Sequence, residues 1–334
     1  MSIPVRILVA GGCGYVGSVL VPRLAERGYR VEVVDTLWFG SHLPQTIPVN
    51  KKDLFELQEG NLEGFNQVIF LAGLSNDPMA EYSPSLNFIY NAAGPAYVAY
   101  LAKKAGVRRF IFASTCSVYG YTEDTLCTED SMATSSYPYG ISKLQGERAV
   151  MQMASERFSV ICLRKGTVCG YSPRMRFDLV VNTMYKTAVS DGCIYIFNPE
   201  TWRPVVSIQD AASAYIRAIE ASSRISGVFN IASGNFTVGE MGDIVRDRLQ
   251  RLSGKRIALS IEHRGEYRSY KVDISHAVTT LSFKPRHGIE DIVADLYEHG
   301  DQYGDLESET YYNIRTFRRI FPVGARSGPW QRLP

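Results

Sequence analysis

Short apolar runs alternate with amphipathic segments along the first half of the chain. Residues 6–10 form an apolar run that ends in glycines, residues 16–27 carry apolar side chains at helical spacing, and residues 30–35 form a second apolar run. This order of strand, glycine turn, helix and strand predicts a βαβ unit, in which parallel strands are joined by a right-handed crossover.

The alternation continues beyond this unit. Apolar runs at 67–72, 109–114 and 160–164 predict strands, and amphipathic segments at 87–105 and 143–157 predict helices. Because these runs are continuously apolar, we expect strands that are buried on both faces. About six such strands flanked by helices predict an α/β fold with a Rossmann-type, doubly wound parallel sheet.

Prolines interrupt the pattern after about residue 167, and the second half predicts a smaller mixed α/β lobe. Helical spacing persists at 178–190, 208–221, 239–252 and 289–297, whereas nothing after about residue 300 predicts a defined element. We therefore expect a Rossmann domain of residues 1–165 plus about 205–232, and a second lobe of residues 167–204 and 233–334.

The charge balance and the cysteine spacing indicate which class of protein to expect. The 36 Lys and Arg residues nearly balance the 34 Asp and Glu residues, so charge gives no argument for binding nucleic acid or an anionic membrane. No apolar run is long enough to span a bilayer, and the first ten residues lack the layout of a signal peptide. The six cysteines form no C-x-x-C pair and no metal-ligand pattern, so we expect a cytoplasmic protein with reduced thiols and no metal.

A glycine motif follows the first predicted strand. Gly11, Gly14 and Gly17 have the spacing G-x-x-G-x-x-G at the point where a strand turns into a helix. Glycine permits the sharp turn and the close approach of a pyrophosphate, which the free N–H groups of the helix N-terminus then bind. Asp35 ends the second strand, where its carboxylate can accept hydrogen bonds from ribose hydroxyls and repel the 2′-phosphate of NADP. The pattern predicts NAD; the structural alternative is a tight turn with Asp35 as a cap.

A second motif pairs a phenol with an amine. Tyr139 and Lys143 have the form Y-x-x-x-K, and residues four apart on a helix share a face. A neighbouring ammonium lowers the pKa of a phenol toward working pH and makes it a usable general base. Alone the pattern is also typical of a surface pair. Its context is stronger, because the hydroxyls of Ser114 and Thr115 end a predicted strand, where ligands bind in open α/β sheets.

Together these motifs resemble those of the extended short-chain dehydrogenase/reductase family, the group that contains UDP-glucose 4-epimerases and nucleotide-sugar 4,6-dehydratases. The resemblance extends over nearly the whole chain. Further matches are Asp53-Leu54, Leu71-Ala72-Gly73, Asn91-Ala92-Ala93-Gly94, the segment STCSVYG at 114–120, Leu163-Arg164, Arg203 with Asp210, and Arg268.

The resemblance implies roles for individual residues. It implies that Tyr139 is the catalytic base, that Lys143 binds the nicotinamide ribose, and that Thr115 donates a hydrogen bond to the reacting oxygen. The implied cofactor residues are Gly11, Gly14, Tyr15, Val16, Gly17, Asp35, Asp53, Leu54, Leu71, Ala72, Gly73, Asn91 and Lys143. The implied substrate residues are Ser75, Thr115, Cys116, Tyr139, Thr167, Asn182, Arg203 and Arg268, of which the two arginines bind the diphosphate.

By this resemblance the chain is an NAD-dependent epimerase of a nucleotide-diphosphate sugar. Tyr139 takes the proton of the sugar C4 hydroxyl, hydride passes to NAD, and its return completes a cycle through a transient 4-keto sugar. Three alternatives stay open: a 4-keto-sugar reductase or sugar dehydrogenase, a dehydratase, and a non-catalytic NAD-sensing protein.

Some positions depart from the family pattern. The 4,6-dehydratases carry an Asp-Glu pair after the catalytic Thr, where this chain has Cys116 and Ser117, so dehydration is disfavoured. Cys116 is also one residue away from the cysteine of C3/C5-epimerising relatives, which favours a packed thiol. Thr167 replaces the family's Asn, and Cys169 replaces a tyrosine.

The apolar residues of two predicted helices indicate that the chain forms an oligomer. Family members commonly form a homodimer through a four-helix bundle, for which residues 85–104 and 143–157 are the corresponding segments. Both carry apolar residues beyond one face, namely Phe88, Tyr90, Tyr97, Tyr100, Met151 and Met153. A second buried side is consistent with a symmetric homodimer.

The carboxylate of Asp35 should set the choice of cofactor. We expect the unmodified protein to bind NAD more tightly than NADP, and Asp35→Ser to reduce this preference because a negative charge beside the 2′-phosphate is lost. Equilibrium titration with both cofactors measures the ratio. Equal affinity of the unmodified protein for NAD and NADP would contradict the assignment.

Overall fold

The computed structural model describes residues 5–122, 125–265 and 268–322. Its strands are β1 (Arg6–Ala10), β2 (Arg30–Asp35), β3 (Val49–Lys51), β4 (Gln67–Phe70), β5 (Arg109–Thr115), β6 (Leu126–Cys127), β7 (Ser159–Lys165), β8 (Thr167–Cys169), β9 (Cys193–Phe197), β10 (Trp202–Ser207), β11 (Gly227–Ile231), β12 (Gly234–Thr237), β13 (Ala258–Glu262) and β14 (Lys271–Val272). Its helices are α1 (Gly17–Glu26), α2 (Asp77–Tyr82), α3 (Pro84–Phe88), α4 (Gly94–Lys104), α5 (Pro138–Met151), α6 (Val180–Asp191), α7 (Ile208–Glu220), α8 (Val238–Ser253), α9 (Ser275–Leu281), α10 (Ile289–Glu298) and α11 (Asn313–Ile320).

The central sheet is parallel throughout its described strands. Its order is β11-β7-β5-β4-β1-β2-β3. The predicted doubly wound α/β fold is therefore confirmed. The sheet has seven strands rather than about six, because the short edge strand β3 carries polar, exposed residues and gives no apolar run.

Alternate residues of the buried strands pack into two separate cores. On one face, Ile7 and Ile111 contact α1 and α7 through residues such as Leu20 and Tyr215. On the other face, the apolar core contains Leu8, Phe70 and Phe112 from the strands and Val98 and Val150 from α4 and α5. Both faces are thus covered by helices, which explains the continuously apolar strands.

The helix that carries the Y-x-x-x-K motif begins earlier than predicted. Helix α5 begins at Pro138, whereas the sequence pattern placed the start at Lys143. Proline suits the first helical position because its fixed φ is helical and the N–H that it lacks has no partner there. Tyr139 and Lys143 therefore both lie in the first turns of one helix.

The long helix predicted at 87–105 is interrupted. Helix α3 passes into a π-helical turn over Ile89–Ala93, and α4 follows directly. Asn91 lies in this turn with its side chain buried, where Nδ2 donates to Leu74 O and Asn87 Oδ1. A π-helical turn within a helix often marks a functional site.

The second lobe has its own apolar core between helices α6, α8 and α10 and strand β9. Helix α7 and strand β11 come from the 205–232 segment and return to the central sheet, where β11 pairs with β7. The limits of the two domains themselves stay a prediction.

Helix α11 was not anticipated from the sequence. It lies in the stretch after residue 300 and buries Phe317 against Trp38 and Tyr82. The helix is only eight residues long, and so short a helix depends for its stability on distant contacts such as these aromatic ones. Within the described ranges, no helix is long and apolar enough to cross a membrane.

The apolar side chains of the predicted dimer helices divide into two groups. Tyr90 and Tyr97 belong to the subunit's own core, where their hydroxyls donate to Asp53 Oδ2 and Leu57 O. Phe88 and Tyr100 remain exposed, at 39% and 53%. Packing within the subunit therefore accounts for some of the apolar residues that the sequence analysis assigned to a dimer interface.

A buried ion pair joins helix α5 to the sheet. Arg164 Nη2 and Nε lie 2.6 Å and 3.0 Å from the two carboxylate oxygens of Glu147, which also accepts a 2.6 Å hydrogen bond from Ser114 Oγ. Both charged side chains are less than 10% exposed. The pair thus links α5 to β5 and β7 at once.

Glu147→Gln should strongly destabilise the fold. Removing one partner leaves the buried Arg164 charge uncompensated, which typically costs about 3–5 kcal/mol. Chemical denaturation measures the free energy of unfolding. The matched control is Glu220→Gln, which breaks the exposed Arg217–Glu220 pair and should cost less than about 1 kcal/mol. Equal losses in the two variants would contradict the anchoring role of Glu147.

Candidate active site

A cavity of about 490 Å³ opens at the carboxyl ends of the central strands. Its lining includes residues that directly follow β1, β2, β4 and β7, the last residues of β5, and residues of the second lobe. Open α/β sheets bind their ligands at this edge.

The glycine turn forms one wall of the cavity. Gly11 has φ +79°, and a Cβ there would lie 2.5 Å from Ala72 N. A Cβ on Gly17 would collide with the carbonyl oxygen of Gly12. Helix α1 begins at Gly17 with no side-chain cap and no acidic residue in its first turn. The backbone is therefore closely packed, and the N–H groups of the helix start are available for an anion.

Asp35 lies beside this turn. Its carboxylate accepts hydrogen bonds from Cys13 N at 3.0 Å and Leu37 N at 2.8 Å. Burial raises the pKa of Asp35, and these two backbone donors act against the rise. The side chain lines the cavity, where a carboxylate can accept hydrogen bonds from a diol.

Most of the predicted site residues lie together around this cavity. Those that line it are Gly11, Gly14, Tyr15, Val16, Gly17, Asp35, Leu54, Leu71, Ala72, Gly73, Ser75, Asn91, Thr115, Tyr139, Lys143, Thr167 and Arg268. Their individual roles stay predictions.

Two predicted residues use their side chains elsewhere. Asp53 caps a short helical turn by accepting from Phe55 N and also accepts from Tyr90 OH at 2.6 Å. Cys116 is fully buried, and its thiol donates to Arg164 O at 2.9 Å. Burial raises the pKa of this thiol, so it stays protonated. Neither side chain lines the cavity.

Asn182 and Arg203 also lie outside the cavity lining. The buried Asn182 amide accepts from Gly170 N and donates to Tyr15 OH and Arg176 O, so it holds the loop after β8 in place. Arg203 donates to Trp202 O, and its guanidinium lies 5.7 Å from the ring centroid of Tyr270, which does line the cavity. Sequence spacing could not show that Asn182 holds a loop or that Arg203 bonds to a backbone carbonyl.

Thr115 and Tyr139 lie together at the end of β5. The Thr115 hydroxyl accepts from Ser117 N, and the side chains of Thr115 and Tyr139 both line the cavity. Burial raises the pKa of Tyr139 to about 12, and the Asp77 carboxylate adds to the rise. Arg176, Thr115 and Arg268 act in the opposite direction. The expected lowering of this pKa toward working pH is therefore absent in the protein alone.

Two lysine amines face the same end of the cavity. Lys143 is buried with Nζ 4.2 Å from the centroid of the Phe112 ring, and burial lowers the pKa of this amine well below its usual value. Lys165 Nζ donates to Ser114 O and Tyr215 OH, and burial lowers its pKa to about 7. A bound anion would favour the charged form of both amines.

Sequence reasoning missed several charged residues of the site. Lys165 ends β7, and the strand-end rule that pointed to Thr115 would have found it. Arg174, Arg176 and Asp178 form the segment SPRMRFD after β8, a charged run in a stretch otherwise interpreted as irregular. Asp77, at the start of α2, forms an ion pair with Arg268.

The lining fits a bound dinucleotide on three observations. The glycine turn leaves no room for Cβ atoms, the Asp35 carboxylate faces the cavity, and Asn91 Oδ1 is a buried acceptor without a hydrogen-bond partner among the described residues. A buried acceptor of this kind is normally paired. The residues that hold the group are therefore present.

A family model gives the decisive comparison. The model of the NAD dependent epimerase/dehydratase family matches residues 7–232. The chain belongs to this family. The resemblance found in the sequence is thereby confirmed, and NAD agrees with the cofactor that the glycine turn and Asp35 predict.

Individual relatives of this NAD dependent epimerase/dehydratase protein are similar over most of their length. UDP-glucose 4-epimerase of Neisseria gonorrhoeae is 27% identical, and the match covers 90% of this chain and 99% of that protein. UDP-glucose 4-epimerase 4 of Oryza sativa subsp. japonica is 26% identical over 87% of this chain and 89% of its own. The solved structure of MoeE5 in complex with UDP-glucuronic acid and NAD has a TM-score of 0.78 and 27% identity, and covers 89% of this chain and 99% of that one.

Asp77→Asn should lower the pKa of Tyr139. The substitution removes a negative charge that disfavours the phenolate and releases the positive charge of Arg268. If the phenolate is the active form, the alkaline rise in kcat/KM should move to lower pH.

The pH dependence of kcat/KM on a nucleotide sugar measures this shift. Glu81→Gln, an exposed position on the same helix α2, is the matched control and should leave the profile in place. A rise that stays put or moves to higher pH in Asp77→Asn would contradict the electrostatic account.

Proposed function

We propose that the protein is an NAD-dependent nucleotide-sugar epimerase that works through a transient 4-keto sugar. The observation that carries the proposal is the grouping of Thr115, Tyr139 and Lys143 at the end of a cavity whose other wall is the glycine turn. A hydroxyl pair and an amine at this position suit the removal of a proton from an alcohol.

Tyr139 and Thr115 carry out the proton chemistry. Tyr139, as the phenolate, takes the proton from the sugar C4 hydroxyl, so that the O–H bond breaks as the C=O bond forms. Thr115 donates a hydrogen bond to the reacting oxygen. Tyr139 later returns the same proton to the oxygen when the carbonyl is reduced from its opposite face, which inverts C4 and restores every group.

The chemistry that bound NAD would supply is the reversible acceptance of a hydride, so that the complete cycle would cause no net oxidation. Lys143 lies one helical turn from Tyr139 and binds the nicotinamide ribose. Cationic groups near the phenol favour its ionised form, and Arg176 and Arg268 already act in this direction.

The substrate is a nucleotide-diphosphate sugar, with UDP as the nucleotide. Arg268 lines the cavity, lies 4.9 Å from the centroid of the Tyr137 ring, and has a guanidinium suited to phosphate oxygens. The similarity to UDP-glucose 4-epimerases and to MoeE5 with UDP-glucuronic acid supports this class.

Dehydration is a poorer explanation of the same site. Water elimination requires an acid and a base beside the sugar, and the two positions after Thr115 hold Cys116 and Ser117. The thiol is buried and bonded to a backbone carbonyl. Epimerisation needs neither group.

We also propose that the enzyme is a homodimer in the cytoplasm. Exposed Phe88 and Tyr100 on α3 and α4 support a subunit interface on this side of the sheet. Six free thiols, five of them buried, agree with a reducing compartment.

The fate of hydrogen at C4 tests the reaction directly. UDP-glucose and UDP-glucuronic acid are incubated with the enzyme in D₂O, and the products are analysed by mass spectrometry and NMR. The proposal expects a C4 epimer of unchanged mass without solvent deuterium at carbon, because the hydride returns within the site. Loss of water, a change of two hydrogens, or deuterium at C3 or C5 would contradict it.

Tyr139→Phe should reduce turnover by about 10²–10⁴-fold, the usual worth of general acid–base catalysis. The ring is retained, so packing and NAD binding should be unchanged. Steady-state turnover and NAD content measure the two properties. Tyr195→Phe, which is exposed on β9, is the control. Near-normal turnover of Tyr139→Phe would exclude the phenol as the base.

A further inference from the structure

Arg174 belongs to the loop between β8 and α6, which is fixed directly onto the glycine turn. Tyr15 OH donates to Gly170 O at 2.6 Å, and Ser172 Oγ donates to Tyr15 O at 2.8 Å. The Arg174 side chain lines the large cavity and is 3% exposed. A residue of the second lobe therefore reaches the wall where the first helix begins.

The guanidinium of Arg174 is buried without a counter-ion. Nη2 donates to Asn313 Oδ1 at 2.5 Å, and the guanidinium lies 3.7 Å from the centroid of the Phe39 ring. Nε and Nη1 have no hydrogen-bond partner within the described part of the chain. Burial lowers the pKa of Arg174 to about 9, so it is charged at neutral pH. A buried guanidinium with two unused donors strongly favours an anionic ligand.

The neighbouring arginines are already paired. Arg176 is bidentate to Asp178 and donates to Ser75 Oγ, and Arg268 forms an ion pair with Asp77. These two arginines lie toward Tyr139, whose pKa they both lower. Arg174 instead lies over the ring of Phe39, at 3.7 Å from its centroid, and Phe39 lines the cavity four residues after Asp35. The unpaired guanidinium thus lies on the cofactor side of the cavity.

We infer that Arg174 binds the diphosphate of the dinucleotide, opposite the N–H groups of the glycine turn. The free Nε–H and the free Nη1–H lie on different edges of the planar guanidinium, so each can donate to a separate oxygen of the diphosphate. The first lobe then contributes backbone donors to the diphosphate and the second lobe contributes a charge. Both lobes hold the cofactor.

Binding of nucleotides without turnover tests this assignment. Arg174→Gln removes the charge, and Arg174→Lys keeps the charge but loses the two separate N–H donors of the guanidinium. We expect the affinity of Arg174→Gln for ADP and NAD to fall by about 10- to 100-fold, the usual worth of hydrogen bonds to a charged group. Arg174→Lys should lose less. Adenosine, which has no phosphate, should bind equally to all three proteins.

Titration calorimetry with ADP, adenosine and UDP, and the NAD content of the purified protein, provide the readouts. Arg246→Gln, which removes a paired arginine of α8 outside the cavity lining, is the control. Cofactor-free Arg174→Gln should unfold at the same or a higher temperature than the unmodified protein, because an uncompensated buried charge is gone. Should that variant not fold, the comparison of ADP with adenosine in Arg174→Lys decides.

Weaker UDP binding with unchanged ADP binding would overturn the assignment in favour of the sugar nucleotide. Unchanged binding of both would make Arg174 a structural residue only. Because these measurements need no catalysis, a protein that binds NAD through Arg174 but epimerises no sugar would separate the failure of the proposed function from the failure of this inference.

Discussion

The site depends on how helix α5 is held against the sheet. Tyr139, Lys143 and Glu147 are spaced four residues apart and so share one face of the helix. The Glu147 carboxylate is bonded to Arg164 on β7 and to Ser114 on β5. These bonds set the rotation of the helix about its axis, so that Tyr139 and Lys143 point toward the cavity. The helix also packs so closely on the π-helical turn that a Cβ on Gly146 would collide with the carbonyl oxygen of Asn91.

Sequence patterns predict the elements whose cause is local. The βαβ unit at the N-terminus and its glycine turn follow from apolar spacing and from the conformational demands at Gly11, and the structure has them where they were expected. Helix α11 and strand β3 were not predicted because both are short and are stabilised by distant partners, the Trp38 ring and strand β2. The early start of α5 was missed because Pro138 reads as a breaker, although it is a good first residue of a helix.

The candidate site shows the same division between local and distant causes. Motif spacing brings Thr115, Tyr139 and Lys143 together, but it could not show that burial and Asp77 raise the pKa of Tyr139. Spacing also could not show that Asn182 and Asp53 use their side chains to hold the backbone and a neighbouring hydroxyl. Those contacts join residues far apart in the chain, and only the folded arrangement determines them.

Arg174 and Arg176 are two residues apart in the loop after β8. Hydrogen bonds that involve Tyr15 and Ser172 fix this loop, so a movement of one arginine also moves the other. The first lies over the Phe39 ring, and the second is paired with Asp178 and donates to Ser75 Oγ. Ligands that order a shared segment become thermodynamically linked, and such coupling is reciprocal. A ligand that contacts one of these arginines should therefore change the affinity of the cavity for a ligand at the other.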